Sequence, residues 1–112
     1  MNIKRSIAGL MFLGIMLTAC NASTEKTIPI KHVVEIKQML FQPAELQVHT
    51  GDTIEWINHD FVDHDITEEK NHEWSSGRLT NGQSWKYVIK KTTSYFCSIH
   101  VVMKGKIIIT GE

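Results

Sequence analysis

Residues 94–110 read SYFCSIHVVMKGKIIIT, with two strand-like runs on either side of a short loop. The first run is aromatic and the second is rich in β-branched residues, and both compositions favour extended backbone. The loop carries Cys97, His100 and Met103 at spacings of three and three. Because each end of the loop continues into a strand, the three side chains can turn inward around one point. The stretch predicts two neighbouring strands that present a cluster of sulfur and nitrogen atoms.

The rest of the chain repeats this strand pattern. Alternating or β-branched runs are separated by turn signals at Thr50-Gly51-Asp52 and Asn81-Gly82. No stretch shows sustained helical periodicity, and Glu68–Trp74, where helix propensity is strongest, predicts at most one short turn. Short strands with regular turns favour an all-β sandwich or barrel. The predicted strands are His32–Ile36, Leu46–His49, Thr53–Asn58, Ser84–Lys90, Ser94–Cys97 and Lys104–Thr110.

The first 19 residues differ in composition from the rest of the chain. A basic start is followed by an apolar run from Ile7 to Leu17 and then by small residues, as in a secretory signal peptide. The apolar run is shorter than the roughly 20 residues that a membrane-spanning helix requires. We therefore expect residues 1–19 to be a leader that exports the chain.

The segment Leu17-Thr18-Ala19-Cys20 resembles the bacterial lipobox, in which the leader is cut before the cysteine and the cysteine carries lipid. This resemblance implies a lipid anchor on Cys20, a polar tether over residues 20–30 and a folded domain over residues 31–112. The alternative is ordinary cleavage after Ala22, which also follows small residues at a suitable spacing.

The charge balance excludes some classes of function. The sequence has 12 basic and 12 acidic residues, and loss of Lys4 and Arg5 with the leader leaves a net charge of −2. There is no basic stripe with interleaved aromatic residues, so no nucleic-acid partner is predicted. There is also no nucleophile–base pairing or phosphate-binding loop that would indicate an enzyme. Acidic residues concentrate over 60–73, where we expect a solvated loop; the alternative is a docking patch for a basic partner.

The cysteine count bears on the chemistry of the loop. If Cys20 is lipidated or removed, Cys97 has no cysteine partner, and metal binding would protect its thiol in an oxidising compartment. Thiolate, imidazole and thioether suit copper, and a second histidine would complete a blue-copper ligand set. The candidates for that histidine are His32 and His49, expected at solvated strand edges, His64, and His59 and His72, which with Asp63 could form an adventitious divalent-metal site.

Several segments over residues 39–110 resemble the cupredoxins, the blue type 1 copper family, and among them the amicyanin and plastocyanin type. The segments that carry this resemblance are Phe41-Gln42-Pro43, Gly51-Asp52-Thr53, Trp56-Ile57-Asn58, Tyr95 and Gly105-Lys106, together with the Cys97–Met103 loop. Counting six residues from Asn58, as the amicyanin pattern does, reaches His64. The resemblance implies a Greek-key β-sandwich that binds one copper ion. It further implies His64, Cys97 and His100 as strong ligands and Met103 as the axial ligand.

The chain departs from the family pattern beside the ligands. Asp63 and Ile99 stand where the family usually has proline, and Asp65 stands where it usually has asparagine. We expect the Asp65 carboxylate to accept a hydrogen bond from Ser98, because a carboxylate accepts but does not donate. We also expect the Ile99 N–H, which proline lacks, to point at the Cys97 sulfur and raise the reduction potential.

The resemblance implies a carrier of single electrons between redox partners in the cell envelope. His100 would lie at the surface used by the donor and the acceptor, with at least one of Ile99, Val101 and Val102 exposed beside it. The expected protein is a periplasmic, membrane-tethered monomer and not an enzyme, since copper oxidases and nitrite reductases need further copper sites. One alternative is a copper carrier or chaperone with the same ligands. Another is a structural module that has kept the sandwich, which the presence of all four ligands disfavours.

Overall fold

The computed structural model describes residues 9, 11–19 and 28–111. Eight strands form two four-stranded sheets, and the described residues contain no helix. The predicted all-β sandwich is therefore confirmed. The strands are β1 (Lys31–Lys37), β2 (Leu40–Gln42), β3 (Glu45–Val48), β4 (Thr53–Asn58), β5 (Thr67–Glu68), β6 (Ser84–Val88), β7 (Thr93–Phe96) and β8 (Lys104–Ile109).

Each sheet mixes parallel and antiparallel pairs. The first sheet has the order β2-β1-β4-β6, and the second has the order β3-β8-β7-β5. Strands β1 and β4 pair in parallel, as do β3 and β8, whereas the remaining neighbours are antiparallel. Parallel neighbours cannot be joined by a tight turn, so the chain crosses between the sheets. This crossing leaves the segments after β4 and β7 free to carry side chains for a site.

The core lies between the two sheets. Alternate residues of β4 point inward, so that Ile54, Trp56 and Asn58 are buried. Trp56 lies opposite Trp85 of β6 and contacts the ring of Tyr95 on the second sheet, with centroids 5.4 Å apart. Burial among these apolar side chains raises the pKa of Tyr95 to about 12.

The structure departs from the predicted elements at two short strands. The three residues of β2 and the two residues of β5 are too few to show an alternating pattern. Residues 69–71 form a turn and not a helix. The buried Glu68 carboxylate accepts the N–H groups of Lys70, Asn71 and Glu73, and these bonds compete with a helix.

The N-terminal predictions are only partly within the described residues. Cys20, residues 21–27 of the tether and the basic start of the leader within residues 1–8 lie outside them. No helix among the described residues has the length and apolar character needed to cross a membrane. His32 was expected to be solvated, but it is half-buried, and its Nε2 lies 2.8 Å from the carboxylate of Asp52.

Candidate metal centre

Ligand atoms from two segments converge beside the ends of β4 and β7. The Nδ1 atoms of His64 and His100 are 3.2 Å apart. The Cys97 Sγ lies 3.8 Å from the first and 3.7 Å from the second. His64 and Cys97 are buried and His100 is half-buried. Within residues 28–111, no other group of three or more histidine, cysteine or acidic side chains brings its ligand atoms this close together.

The triangle formed by these three atoms has the size of a metal site. A point at equal distance from its corners lies about 2.1 Å from each atom, close to metal–nitrogen bonds of about 2.0–2.1 Å and slightly below metal–thiolate bonds of about 2.3 Å. Two imidazoles and one thiolate are the strong ligands that blue-copper sites use. The donor set and its spacing therefore fit copper.

The His64 ring is held from its far side. Its Nε2 lies 2.8 Å from Asp60 Oδ2, so that Nδ1 is left to face the other ligands. The same carboxylate accepts the N–H groups of Gln38 and Met39 at 2.8 and 3.0 Å. Burial would raise the pKa of Asp60, but these hydrogen bonds outweigh it and hold the pKa below its ordinary value.

Gln38 and Met39 form the two-residue turn between β1 and β2. Their φ angles are 54° and 59°, in the left-handed region that favours glycine, asparagine and aspartate. Asp60 supplies acceptors for both N–H groups of this unfavourable turn. One carboxylate thus fixes a hairpin and a ligand ring together.

Asp65 connects the two ligand segments. Its N–H donates to the Cys97 Sγ at 3.4 Å. Its carboxylate accepts the Ser98 N–H at 2.7 Å, the Ser98 hydroxyl, and the Thr67 hydroxyl at 3.1 Å. The hydrogen bond from Ser98 to Asp65 that the sequence predicted is present.

The hydrogen bond predicted from Ile99 to the Cys97 sulfur is wrong. Among the described residues, the backbone N–H that donates to this sulfur is that of Asp65. Residues 98–100 bend between the two ligands, and Ile99 packs its partly buried side chain against the core. The bonds from Ser98 to Asp65 bring the Asp65 N–H to the sulfur instead.

The loop that holds three of the predicted ligands is closed by its own backbone. The Cys97 N–H donates to the Met103 carbonyl at 3.0 Å, and the Met103 N–H donates to the His100 carbonyl at 2.9 Å. Met103 is buried. Between His100 and Met103, the side chains of Val101 and Val102 point to solvent and are 60% and 87% exposed. The expectation that at least one apolar residue beside His100 is exposed is confirmed.

Three of the six acidic side chains in residues 60–73 lie beside cations. Asp63 pairs with Arg78 at 3.8 Å, Glu73 pairs with Lys91 at 3.3 Å, and Glu69 pairs with Lys104. This pairing supports the solvated loop over the docking patch for a basic partner.

The adventitious site of His59, Asp63 and His72 does not form in the described residues. His59 lies 3.8 Å from Glu35, and the His72 ring packs on Phe96 with centroids 5.6 Å apart. Asp63 pairs with Arg78. His59, Asp63 and His72 therefore each contact a different residue and do not converge on one point.

Residues 28–110 match the model of a protein family described as copper binding proteins, plastocyanin/azurin family. The chain belongs to this family. It is 26% identical to amicyanin of Paracoccus versutus over 83 residues, which are 69% of this chain and 63% of that protein. It is 29% identical to amicyanin-alpha of Methylorubrum extorquens over 82 residues, 68% of this chain and 69% of that one. The chain therefore spans slightly less than two thirds of the first of these relatives.

Solved structures agree with the fold. The reduced state of an amicyanin mutant matches with a TM-score of 0.64 at 27% identity, over 70% of this chain and 80% of that one. A copper-containing nitrite reductase from Thermus scotoductus matches with a TM-score of 0.65 at 24% identity. That match covers 76% of this chain but 23% of the reductase, and it shows the fold alone.

Asp60 is the residue of the site that sequence reasoning missed. The sequence predicts only that it belongs to the acidic segment of residues 60–73. Its position four residues before His64 and two after Asn58 offered a signal, because short polar side chains at such spacings bond to nearby backbone. Asn58 does so here, accepting the Asp60 N–H at 2.9 Å and donating to the Val62 and Leu79 carbonyls.

Proposed function

We propose that this chain is a blue copper protein that carries single electrons between redox partners in the cell envelope. The observation that carries this proposal is the triangle of His64 Nδ1, Cys97 Sγ and His100 Nδ1, whose size fits one metal ion. Copper bound there would supply a one-electron Cu(II)/Cu(I) couple. Met103, buried at the end of the same loop, would supply a further, weaker ligand through its thioether sulfur.

The protein's part in this function is to keep the ligand atoms in place. Asp60 orients the His64 ring, and the Asp65 N–H holds the Cys97 sulfur. The backbone bonds between Cys97, His100 and Met103 fix the loop. A ligand set held from several sides moves little when the metal changes its charge, which keeps the cost of electron transfer small.

Partners would meet the protein around His100. The exposed Val101 and Val102 form a small apolar surface beside this half-buried histidine. Weak redox encounters use small interfaces, so a compact surface is sufficient. In this proposal the protein is a monomer, does not bind nucleic acid and performs no enzymatic turnover.

The proposed location rests on the leader and the lipobox. Residues 1–19 would export the chain to the periplasm, and lipid on Cys20 would tether it to a membrane. Fractionation of cells that express the full chain tests this. Wild-type protein should sediment with membranes, whereas Cys20→Ser should be recovered as soluble protein; equal distribution of both would contradict the tether.

Titration of the metal-free protein with Cu(II) tests the copper site. We expect one equivalent to bind and an intense blue colour to develop, because thiolate-to-Cu(II) charge transfer absorbs strongly in the visible range. Cys97→Ser should abolish the colour. His100→Ala should weaken binding, whereas the matched control His49→Ala, which changes an exposed histidine away from the triangle, should not.

Redox cycling separates an electron carrier from a copper carrier. Repeated reduction and oxidation in the presence of a Cu(I) chelator should leave copper on the protein and restore the blue colour each time. Rapid loss of Cu(I) to the chelator would contradict electron transfer and support copper delivery. A colourless protein with bound Cu(II) would contradict the blue copper assignment itself.

A further inference from the structure

Beside the triangle lies a buried acidic side chain that electron transfer alone does not require. Asp65 is 5% exposed and follows His64 directly. Three groups donate to its carboxylate: the Ser98 N–H, the Ser98 hydroxyl and the Thr67 hydroxyl. Because all three are donors, the carboxylate can accept each bond as an anion. We propose that Asp65 is a fixed buried anion that biases the bound copper toward its oxidised form.

The surroundings of this carboxylate leave its charge uncompensated. Within residues 28–111, no lysine, arginine or histidine forms an ion pair with Asp65. On the other side of His64, the Asp63 side chain is 37% exposed and lies 3.8 Å from Arg78. The two aspartates flank the same ligand, but solvent and a cation screen only one of them.

The sign of the effect follows from charge alone. Cu(II) carries one more positive charge than Cu(I), so a nearby anion stabilises the oxidised form more and lowers the reduction potential. The asparagine expected at position 65 from the family resemblance would accept the Ser98 N–H but would carry no charge. Asp65 therefore acts as a positioning residue through Ser98 and as a source of negative potential.

The test compares the isosteric variants Asp65→Asn and Asp63→Asn, which each remove one negative charge beside His64. In the copper-loaded protein, Asp65→Asn should shift the Cu(II)/Cu(I) equilibrium toward Cu(I) by about tenfold, which is about 60 mV for a one-electron couple. Asp63→Asn should shift it less than threefold. The difference between the variants should persist at high salt, because screening acts mainly on exposed charges.

Two further measurements separate charge from packing. The melting temperature of metal-free Asp65→Asn reports whether the fold survives, and Ser98→Ala leaves the carboxylate in place while removing one donor. If Asp65 acts through its charge, Ser98→Ala should leave the potential unchanged or lower, opposite to Asp65→Asn. A rise in both variants would overturn the proposal in favour of a packing role.

This inference rests on the proposed copper function, and the two can fail separately. Equal potentials for blue wild-type protein and blue Asp65→Asn would overturn the inference alone. A wild-type protein that stays colourless with Cu(II) would overturn the proposed function and this inference with it. If Asp65→Asn does not fold, the potential of Ser98→Ala decides: a rise overturns the proposal, and an unchanged or lower value supports it.

Discussion

At the scale of the residue, Asp60 joins two features that the sequence keeps apart. Its carboxylate receives the N–H groups of Gln38 and Met39 and lies against the His64 ring. Because the ring is already oriented before metal binds, metal binding does not have to restrict its rotation. The partner of a ligand histidine is therefore as much a part of the site as the ligand is.

We predict that Asp60→Ala weakens Cu(II) binding by about 10- to 100-fold, because the His64 ring loses its hydrogen-bond partner. Competition with a chelator of known affinity measures the change. Asp63→Ala is the matched control, since it removes an acidic side chain one residue from the ligand but not in contact with its ring. Equal affinities for the two variants would contradict the role given to Asp60.

Gly105 is a position that has no room for a side chain. A Cβ at this position would lie 2.2 Å from the Tyr95 Cζ, inside any permitted contact distance. The Tyr95 ring is fully buried, and Phe41 packs against it with centroids 4.8 Å apart. The ring therefore has little space to give way.

We predict that Gly105→Ala lowers the free energy of unfolding by about 3 kcal/mol or more, the cost expected of an overpacked core. Urea denaturation of the metal-free protein measures this loss. Lys106→Ala, on the exposed side of the same strand, should change stability by less than about 0.5 kcal/mol. A Gly105→Ala midpoint equal to that of wild type would show that the ring moves.

At the scale of the element, Asp52 ties the start of β1 to the turn before β4. It accepts the N–H groups of Ile30 and His49 at 3.0 Å, and His32 of β1 lies 2.8 Å from it. Burial would raise the pKa of this carboxyl, but the bonds from His32, His49 and Ile30 lower it from 3.8 to about 2.

The lowered pKa of Asp52 fixes the direction of a pH effect. The ionised Asp52 carboxylate stabilises the folded state fully above its unfolded pKa of 3.8, and this stabilisation is lost as the pH falls toward about 2. We predict that wild-type stability falls more steeply over this range than that of Asp52→Asn, as measured by thermal unfolding of the metal-free protein. Parallel curves for the two proteins would contradict the prediction.

The elements also show why some parts of the fold were predictable. β4 spans Thr53–Asn58 as predicted, because six alternating residues next to a turn signal leave little ambiguity. β2 and β5 were missed because their two or three residues pair only after the rest of the sheet exists. The predicted hydrogen bond from Ile99 was wrong for a similar reason. The N–H that donates to the Cys97 sulfur belongs to Asp65, which is distant in sequence.

At the scale of the whole molecule, the grouping of His64, Cys97 and His100 was predictable from the loop spacing and the family resemblance, but the hydrogen bonds that support it were not. The structure brings His64 to Cys97 and His100, as the resemblance implied. The Asp65–Ser98 bond followed from a substitution within the family pattern. The contact between Asp60 and the β1–β2 turn joins segments about 20 residues apart and leaves no local pattern.

In the proposed function, partners meet the molecule at the His100 end. Three acidic side chains of residues 60–73 are paired with cations, whereas Val101 and Val102 remain exposed. We predict that Val102→Asp slows electron self-exchange between oxidised and reduced copies by at least about tenfold, because two like charges must meet when the surfaces touch. NMR line broadening of mixed samples measures the rate. Val33→Asp, on β1, is the matched control, and an equal loss in both would contradict the proposed surface.

The parallel pairing of β3 with β8 also sets the order in which this molecule can fold. The two strands pair residues about 60 positions apart, so the second sheet cannot close until both segments have been released into one compartment. His64 emerges long before Cys97, and the metal triangle is therefore among the last features to assemble. The first sheet draws only on strands within residues 31–88, so it can form first, and the second sheet then closes on it together with the metal triangle.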